Sequence, residues 1–256
     1  MSMSITELER TFAQLRLSGA RDTLQTRLAQ AQASQMTAHE LLSLLLQDEL
    51  DRRHSRLIGK RYKDSRLDEK LTLAEIDWSF NPKVPRAACF ELHTLKFVSE
   101  GANAILIGKP GTGKSHVAKA VAYHAVQQGL RVAYLEADAD FPRYAHAEAR
   151  DREHTLQRLL GADLMVLDDL FLARKMSEAA AELLQTLVHQ RYRKRASVLV
   201  TSNRVIKDWG TYLGDMTMAS TILDRLMHRS RLLEFEGKSY RLKEAAQRLA
   251  TKVTPD

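Results

Sequence analysis

Residues 104–115 read Ala104-Ile105-Leu106-Ile107-Gly108-Lys109-Pro110-Gly111-Thr112-Gly113-Lys114-Ser115. An apolar run ends in G-x-x-x-x-G-K-S, and Val117, Val121, Ala122 and Ala125 then recur at helical spacing. A strand, a glycine-rich loop and a helix in that order make a P-loop in its proper context. Backbone N–H groups of such a loop wrap phosphates, and glycines let the chain approach them without a Cβ. Lys114 can reach the β- and γ-phosphates, the Ser115 hydroxyl can bind Mg²⁺, and the helix directs its positive end at the anion. The predicted nucleotide-binding residues are Gly108, Lys109, Pro110, Gly111, Thr112, Gly113, Lys114, Ser115 and His116. The expected ligands are ATP or ADP with Mg²⁺.

Outward from this loop the chain alternates. Strand-like runs fall at Ala104–Ile107, Arg131–Leu135, Asp163–Leu167, Ser197–Thr201 and Arg231–Phe235, with helical patterns between them and Gly129 where a helix would end. Five strands with intervening helices predict an α/β fold around a parallel sheet covered on both faces. The third run continues into Asp168-Asp169, an apolar strand ending in two carboxylates. Downstream of a P-loop this reads as a Walker B motif, in which Asp168 serves Mg²⁺ and Asp169 orients and polarises the attacking water. A full strand, Arg131–Leu135, falls between the P-loop strand and the Asp168 strand, two strands that simple nucleotide kinases and GTPases often place side by side. An inserted strand followed by paired acids points to the P-loop branch that activates water with its own carboxylate. Asn203, at the tip of the next strand, suits a sensor of the γ-phosphate and the water. Arg225 sits in the apolar helical patch Ser220–Arg229. It is either a solvated surface residue or an arginine finger reaching a neighbouring subunit's ATP site.

Residues 1–70 look all-helical and are expected to form a small domain of two or three helices. Ser4-Ile5-Thr6-Glu7 and Thr37-Ala38-His39-Glu40 are capping boxes. Ile5, Leu8, Phe12 and Leu15 follow the first; Leu42, Leu45, Leu46, Leu50, Leu57 and Ile58 follow the second. Residues 71–85, with Asn81-Pro82-Lys83-Val84-Pro85, read as a linker that Trp78 and Phe80 anchor by packing. A helix is expected from Arg86 to Val98, the ATPase domain over 86–245 and a tail over 246–256.

The 256 residues carry a formal net charge of +7 and 44% hydrophobic residues. The basic excess lies after Arg191, with 14 Lys/Arg against 7 Asp/Glu, and over 51–70, with 8 against 4. That distribution favours a polyanionic partner. Within the second region Arg52, Arg53, Arg56, Lys60, Arg61 and Lys63 could grip DNA or simply form a solvated helix face. The single cysteine, Cys89, rules out an internal disulfide framework and reads as a small buried hydrophobe. No apolar run is long enough to cross a bilayer, so the expectation is a cytoplasmic protein with no membrane partner.

The P-loop, the Asp168-Asp169 pair, the Thr201-Ser202-Asn203 strand end and Leu223-Asp224-Arg225-Leu226-Met227-His228 together resemble the IstB/DnaC-type AAA+ ATPases, and the IstB group above all. The N-terminal Leu15, Leu17 and Ala20 and the ending Glu236-Gly237-Lys238-Ser239-Tyr240-Arg241-Leu242-Lys243 resemble that group as well. The resemblance covers nearly the whole chain. It implies an AAA+ fold, slow ATP hydrolysis stimulated by assembly or a partner, a homo-oligomer with ATP sites between subunits, and binding to double-stranded DNA. It also implies delivery of a partner, either the transposase of an insertion sequence or, on the DnaC side, a replicative helicase. By position Arg225 matches the arginine finger and Arg241 a second-sensor arginine. The usual helical lid is nearly absent, since about 20 residues follow Phe235. Asp169 stands where many of these enzymes have Glu and is one methylene shorter, which implies slow water activation. A small-molecule P-loop kinase is the third reading, disfavoured by Asp169, Asn203 and the missing acceptor lid.

Overall fold

The computed structural model describes residues 3–172 and 175–252. It divides into two compact units, Met1–Lys60 and Arg61–Asp256.

The first unit is built from α1 (Ile5–Gln14), α2 (Ser18–Ala33) and the greater part of α3 (Ala38–Ser65). Both expected capping boxes are formed. Glu7 and Ser4 exchange hydrogen bonds at the start of α1, and Glu40 and Thr37 do so at the start of α3. The buried seam is narrow: Ala20, Leu24 and Leu45, flanked by Leu8, Phe12, Leu17, Leu28 and Leu41. Ile5, Leu15, Leu42, Leu46, Leu50 and Leu57, which share the helical spacing of that seam, are exposed. Three helices in sixty residues have too little interior to cover every apolar position. At Gly19 a Cβ would run into the backbone of Asp48 and Glu49, so glycine sets how closely α2 approaches α3. The Gly19 N–H donates to the buried Glu49 carboxylate at 2.6 Å, and Arg27 forks onto Asp48 at 2.7 and 2.8 Å.

The second unit wraps a five-stranded parallel sheet of β1 (Asn103–Gly108), β2 (Val132–Glu136), β3 (Leu164–Leu170), β4 (Ser197–Ser202) and β5 (Ser230–Phe235). The strand positions expected from the sequence agree to within a few residues. In space the order is β2-β3-β4-β1-β5. The strand inserted between the P-loop strand and the Asp168 strand is therefore β4, and the run that separates them in the sequence forms the β2 edge. Apolar runs make buried strands on β1, β3 and β4, where both faces are covered.

The helical segments that cover the sheet follow in chain order: α4 (Arg86–His93), α5 (Lys96–Ser99), α6 (Lys114–Gln127), α7 (Ala137–His146), α8 (Ala149–Gly161), α9 (Glu178–Lys194), α10 (Trp209–Leu213), α11 (Met216–Met227) and α12 (Tyr240–Lys252). The helix expected over 86–98 is two pieces, because Leu95 is left-handed and the Thr94 hydroxyl bonds back to the Glu91 carbonyl. Cys89 is fully buried, and burial pushes its thiol up to about 12.

Arg191 of α9 is fully buried and forms no ion pair among the described residues, although the Asp163 charge acts on it. Its guanidinium donates to the carbonyls of Leu159, Ala162, Asp163 and Ser197 at 2.7–3.4 Å, tying the entries of β3 and β4 to α9. Burial holds its pKa down, at about 10.

The segment before α4 packs on this same unit. Trp78 lies 5.6 Å from Phe90, and Phe80 meets Tyr240 edge-on at 5.3 Å. Asn81 exchanges 2.9 Å hydrogen bonds with the backbone of Lys238.

Candidate nucleotide site

β1 delivers the loop at its carboxyl end, where parallel sheets place their ligands. Gly108, Gly111 and Gly113 all have positive φ, of 148°, 74° and 103°. At Gly108 a Cβ would strike the Phe235 carbonyl, and at Gly111 it would strike the Ser239 side chain. Gly108 and Gly111 are therefore required by fit as well as by conformation, and Gly113 by conformation alone. Thr112 closes the loop through a 2.8 Å bond to the Lys109 carbonyl, while Lys109 and Pro110 are exposed at its tip. Lys114 and Ser115 open α6, whose N-cap is Gly113.

Lys114 is 3% exposed, and each of its three N–H donors has a partner: the Gly108 and Lys109 carbonyls at 2.8 Å and Asn203 Oδ1 at 2.6 Å. Burial pushes its pKa down to about 8, against the pull of Asp169 and Asp168. Asn203, at the exit of β4, also reaches Asp169 through its amide at 3.5 Å. Asp169 stands in the left-handed region, φ 52°, where β3 slips register between Leu167 and Leu170. Burial, and then the neighbouring Asp168 charge, raise its carboxyl above the ordinary range. Lys114, Asp168, Asp169 and Asn203 are thus brought to one place by β1, β3 and β4.

Two further side chains belong to this cluster. Tyr134 of β2 donates its hydroxyl to Asp168 Oδ2 at 2.6 Å, and Thr201 of β4 donates to Asp168 Oδ1. The Thr201 hydroxyl in turn accepts the Asp169 N–H at 2.9 Å. The sequence marks Thr201 only as part of a strand end and Tyr134 not at all, because their meeting with Asp168 depends on the strand order.

Arg241, near the start of α12, is close enough for its charge to act on both Lys114 and Asp169. The Tyr240 N–H bonds the Gly111 carbonyl at 2.9 Å, so α12 begins against the loop. His116 turns its ring away to the Thr72 carbonyl at 2.8 Å, leaving only its backbone for the nucleotide. Arg225 is at the other end of the sheet: Asn103, the first residue of β1, bonds the carbonyls of Arg225 and Leu226. That is about 17 Å along β1 from Gly108 at ~3.3 Å per residue. Arg225 is half-buried and makes no ion pair or hydrogen bond with its side chain among the described residues.

The donor set fits Mg²⁺. Ser115 Oγ and one Asp168 carboxylate are hard oxygen ligands, and this ion usually takes one or two carboxylates plus substrate phosphates and waters. Among the described residues no cluster of three or more His, Cys, Asp or Glu is built to hold a metal alone.

The residues expected to grip DNA fall into two groups. Arg52 pairs with Asp22 at 2.5 Å, and Arg53 with Glu49 at 2.6 Å, so both are engaged within the helical unit. Arg56, Lys60 and Lys63 are exposed and unpaired among the described residues. Arg61 has a buried Nε without a protein partner, and its charge acts on Asp163. No helix among the described residues is long and apolar enough to cross a membrane.

Residues 10–248 match the family model described as IstB-like ATP binding protein. An ATP-binding protein of insertion sequence IS21 from Pseudomonas aeruginosa is 37% identical over 239 residues, 93% of this chain and 89% of that one. An insertion-sequence ATP-binding protein from Mycobacterium tuberculosis is 31% identical over 247 residues, 94% and 96% of the two chains. Among solved structures the fold is similar to DnaI (TM-score 0.55, 18% identity, 70% of this chain and 92% of that one). It is also similar to the replication initiator DnaA bound to AMPPCP and single-stranded DNA (TM-score 0.53, 23% identity, 73% and 56%). The five-stranded order and these likenesses make the fold that of an AAA+ domain, and the chain belongs to the IstB-like family of ATP-binding proteins found in insertion sequences.

Proposed function

We propose that this protein is an ATP-hydrolysing AAA+ regulator that assembles on double-stranded DNA and recruits the transposase of its insertion sequence. One observation carries the reading. Lys114, Asp168, Asp169 and Asn203 lie together at the carboxyl end of the sheet, while Arg225, the cation expected to complete a hydrolytic site, stands at the far end of the same sheet. A second copy of the chain could supply that cation. The relatives' place in insertion sequences supports the transposase as partner.

In this site the loop amides and Lys114 bind the β- and γ-phosphates, and Lys114 leaves its loop carbonyls for phosphate oxygens. Ser115 and Asp168 would hold Mg²⁺, which neutralises phosphate charge when bound. Asp169 and Asn203 orient a water on the γ-phosphorus. Attack forms the new P–O bond as the bond to the β,γ-bridging oxygen breaks, giving ADP and phosphate. Arg225 of a neighbouring copy and Arg241 of the same copy stabilise the charge that develops. Arg56, Lys60 and Lys63 are the free cations of α3 for the DNA backbone.

Sedimentation with ATP and duplex DNA should give assemblies larger than either component alone produces, and Lys114→Ala should abolish them by removing the phosphate-binding charge. A strict monomer at every ATP and DNA concentration would remove the assembly reading.

A further inference from the structure

Asp168 is 3% exposed, and each of its oxygens accepts one hydrogen bond from a neutral hydroxyl on a different neighbouring strand, Tyr134 on β2 and Thr201 on β4. Nothing about a buried strand position calls for the Tyr134 hydroxyl. The residue is 6% exposed, and phenylalanine would fill the same space. Its hydroxyl has one hydrogen bond, to the carboxylate. Neutral donors are the informative choice. A lysine or arginine here would cancel the charge of Asp168, whereas two hydroxyls fix the plane of the carboxylate and leave its negative charge intact. Each oxygen also keeps acceptor capacity.

The ring of Tyr134 is backed by Lys119 of α6, whose Nζ lies 5.8 Å from the ring centroid. Lys119 is itself held by Asp68 at 2.8 Å and Glu69 at 2.6 Å, in the segment just after α3. The phenol thus has a contact at its ring and another at its hydroxyl.

We propose that Tyr134 is a positioning residue for the metal: through its hydroxyl, with Thr201 opposite, it presents the Asp168 carboxylate to the divalent cation that accompanies the nucleotide. The proposal rests on the Walker B reading of Asp168. Partners of metal ligands in this position tune affinity by about ten-fold or more.

The test uses the full-length chain with AMPPCP, and Mn²⁺ as a spectroscopic stand-in for Mg²⁺. Electron paramagnetic resonance gives the Mn²⁺ half-saturation directly, and binding of a fluorescent nucleotide in EDTA reports the metal-free site. Tyr134→Phe should raise the Mn²⁺ half-saturation about ten-fold while nucleotide binding in EDTA stays within two-fold of wild type. Thr201→Val should shift it in the same direction, which keeps the test available should one variant fold poorly. An unchanged Mn²⁺ half-saturation in well-folded Tyr134→Phe overturns the proposal. Equal weakening with and without metal also overturns it, since the hydroxyl would then support the site as a whole. Wild-type protein whose nucleotide binding is indifferent to Mn²⁺ would overturn the Asp168 reading itself, an outcome visible before any variant is made.

Discussion

At the scale of single residues, Arg191 shows how far a side chain can be committed to structure. Its guanidinium holds the carbonyls of Leu159, Ala162, Asp163 and Ser197 with no ion pair among the described residues. Arg191→Met would leave those carbonyls buried and unpaired, at a cost of about 3 kcal/mol or roughly 6–12 °C in Tm, measurable by calorimetry on the full chain. Arg191→Lys should recover only part, since a point charge cannot reproduce the planar fork. Nothing in the sequence around Arg191 distinguishes it from the surface cations of the same helix, Arg193 and Lys194. The P-loop glycines, Asp168, Asp169 and Asn203 were legible because loop and strand-end chemistry is local. Tyr134 and Thr201 were not, since each meets Asp168 only through strands that are distant in the chain. Arg52 read as a free cation for the same reason, since Asp22, which holds it, lies on another helix; the Glu49 partner of Arg53 stands at i,i+4 spacing on α3 and was within reach of the sequence.

At the scale of elements, the periodicity of α1 and α3 gave the helices and both capping boxes, and it overstated the seam they bury. Leu42, Leu46 and Leu50 repeat every four residues yet stay exposed, because α2 covers only the Leu45 side. The unit leans instead on ionic contacts between α2 and α3. The Arg27 hydrogen bond holds the Asp48 carboxyl below its ordinary value. A depressed folded value means stability that is present above the ordinary aspartate range, about 4, and lost as pH falls through the lower folded value. Asp48→Asn in the full chain should therefore speed amide exchange in α2 and α3 at neutral pH. The difference from wild type should vanish once the pH is low enough to protonate Asp48, and a difference that persists in acid would assign the contact no ionic character. The strand assignments fared better than the helices because β1, β3 and β4 are buried on both faces and leave unbroken apolar runs.

At the scale of the whole molecule, the proposed division of the site between copies makes a prediction that no single-chain mechanism shares. Arg225→Ala and Asp169→Asn should each abolish turnover while nucleotide still binds. Mixed in equal amounts, they should recover about a quarter of wild-type turnover, the fraction of head-to-tail interfaces that pair an intact Asp169 with an intact Arg225. No recovery, with mixed assemblies demonstrated, would confine the site to one chain. The sheet order has one more consequence, in time. β1 has neighbours only in β4 and β5, so the strand that carries the glycine-rich loop is made first and paired last. Roughly ninety residues must be translated after Gly108 before β4 begins, some 5–20 s at ribosomal rates of ~5–20 residues per second. Throughout that interval the nascent chain carries an unpaired strand with the apolar run Ala104–Ile107. The contacts of Gly108 with Phe235 and of Gly111 with Ser239, which shape the loop in the folded chain, come later still.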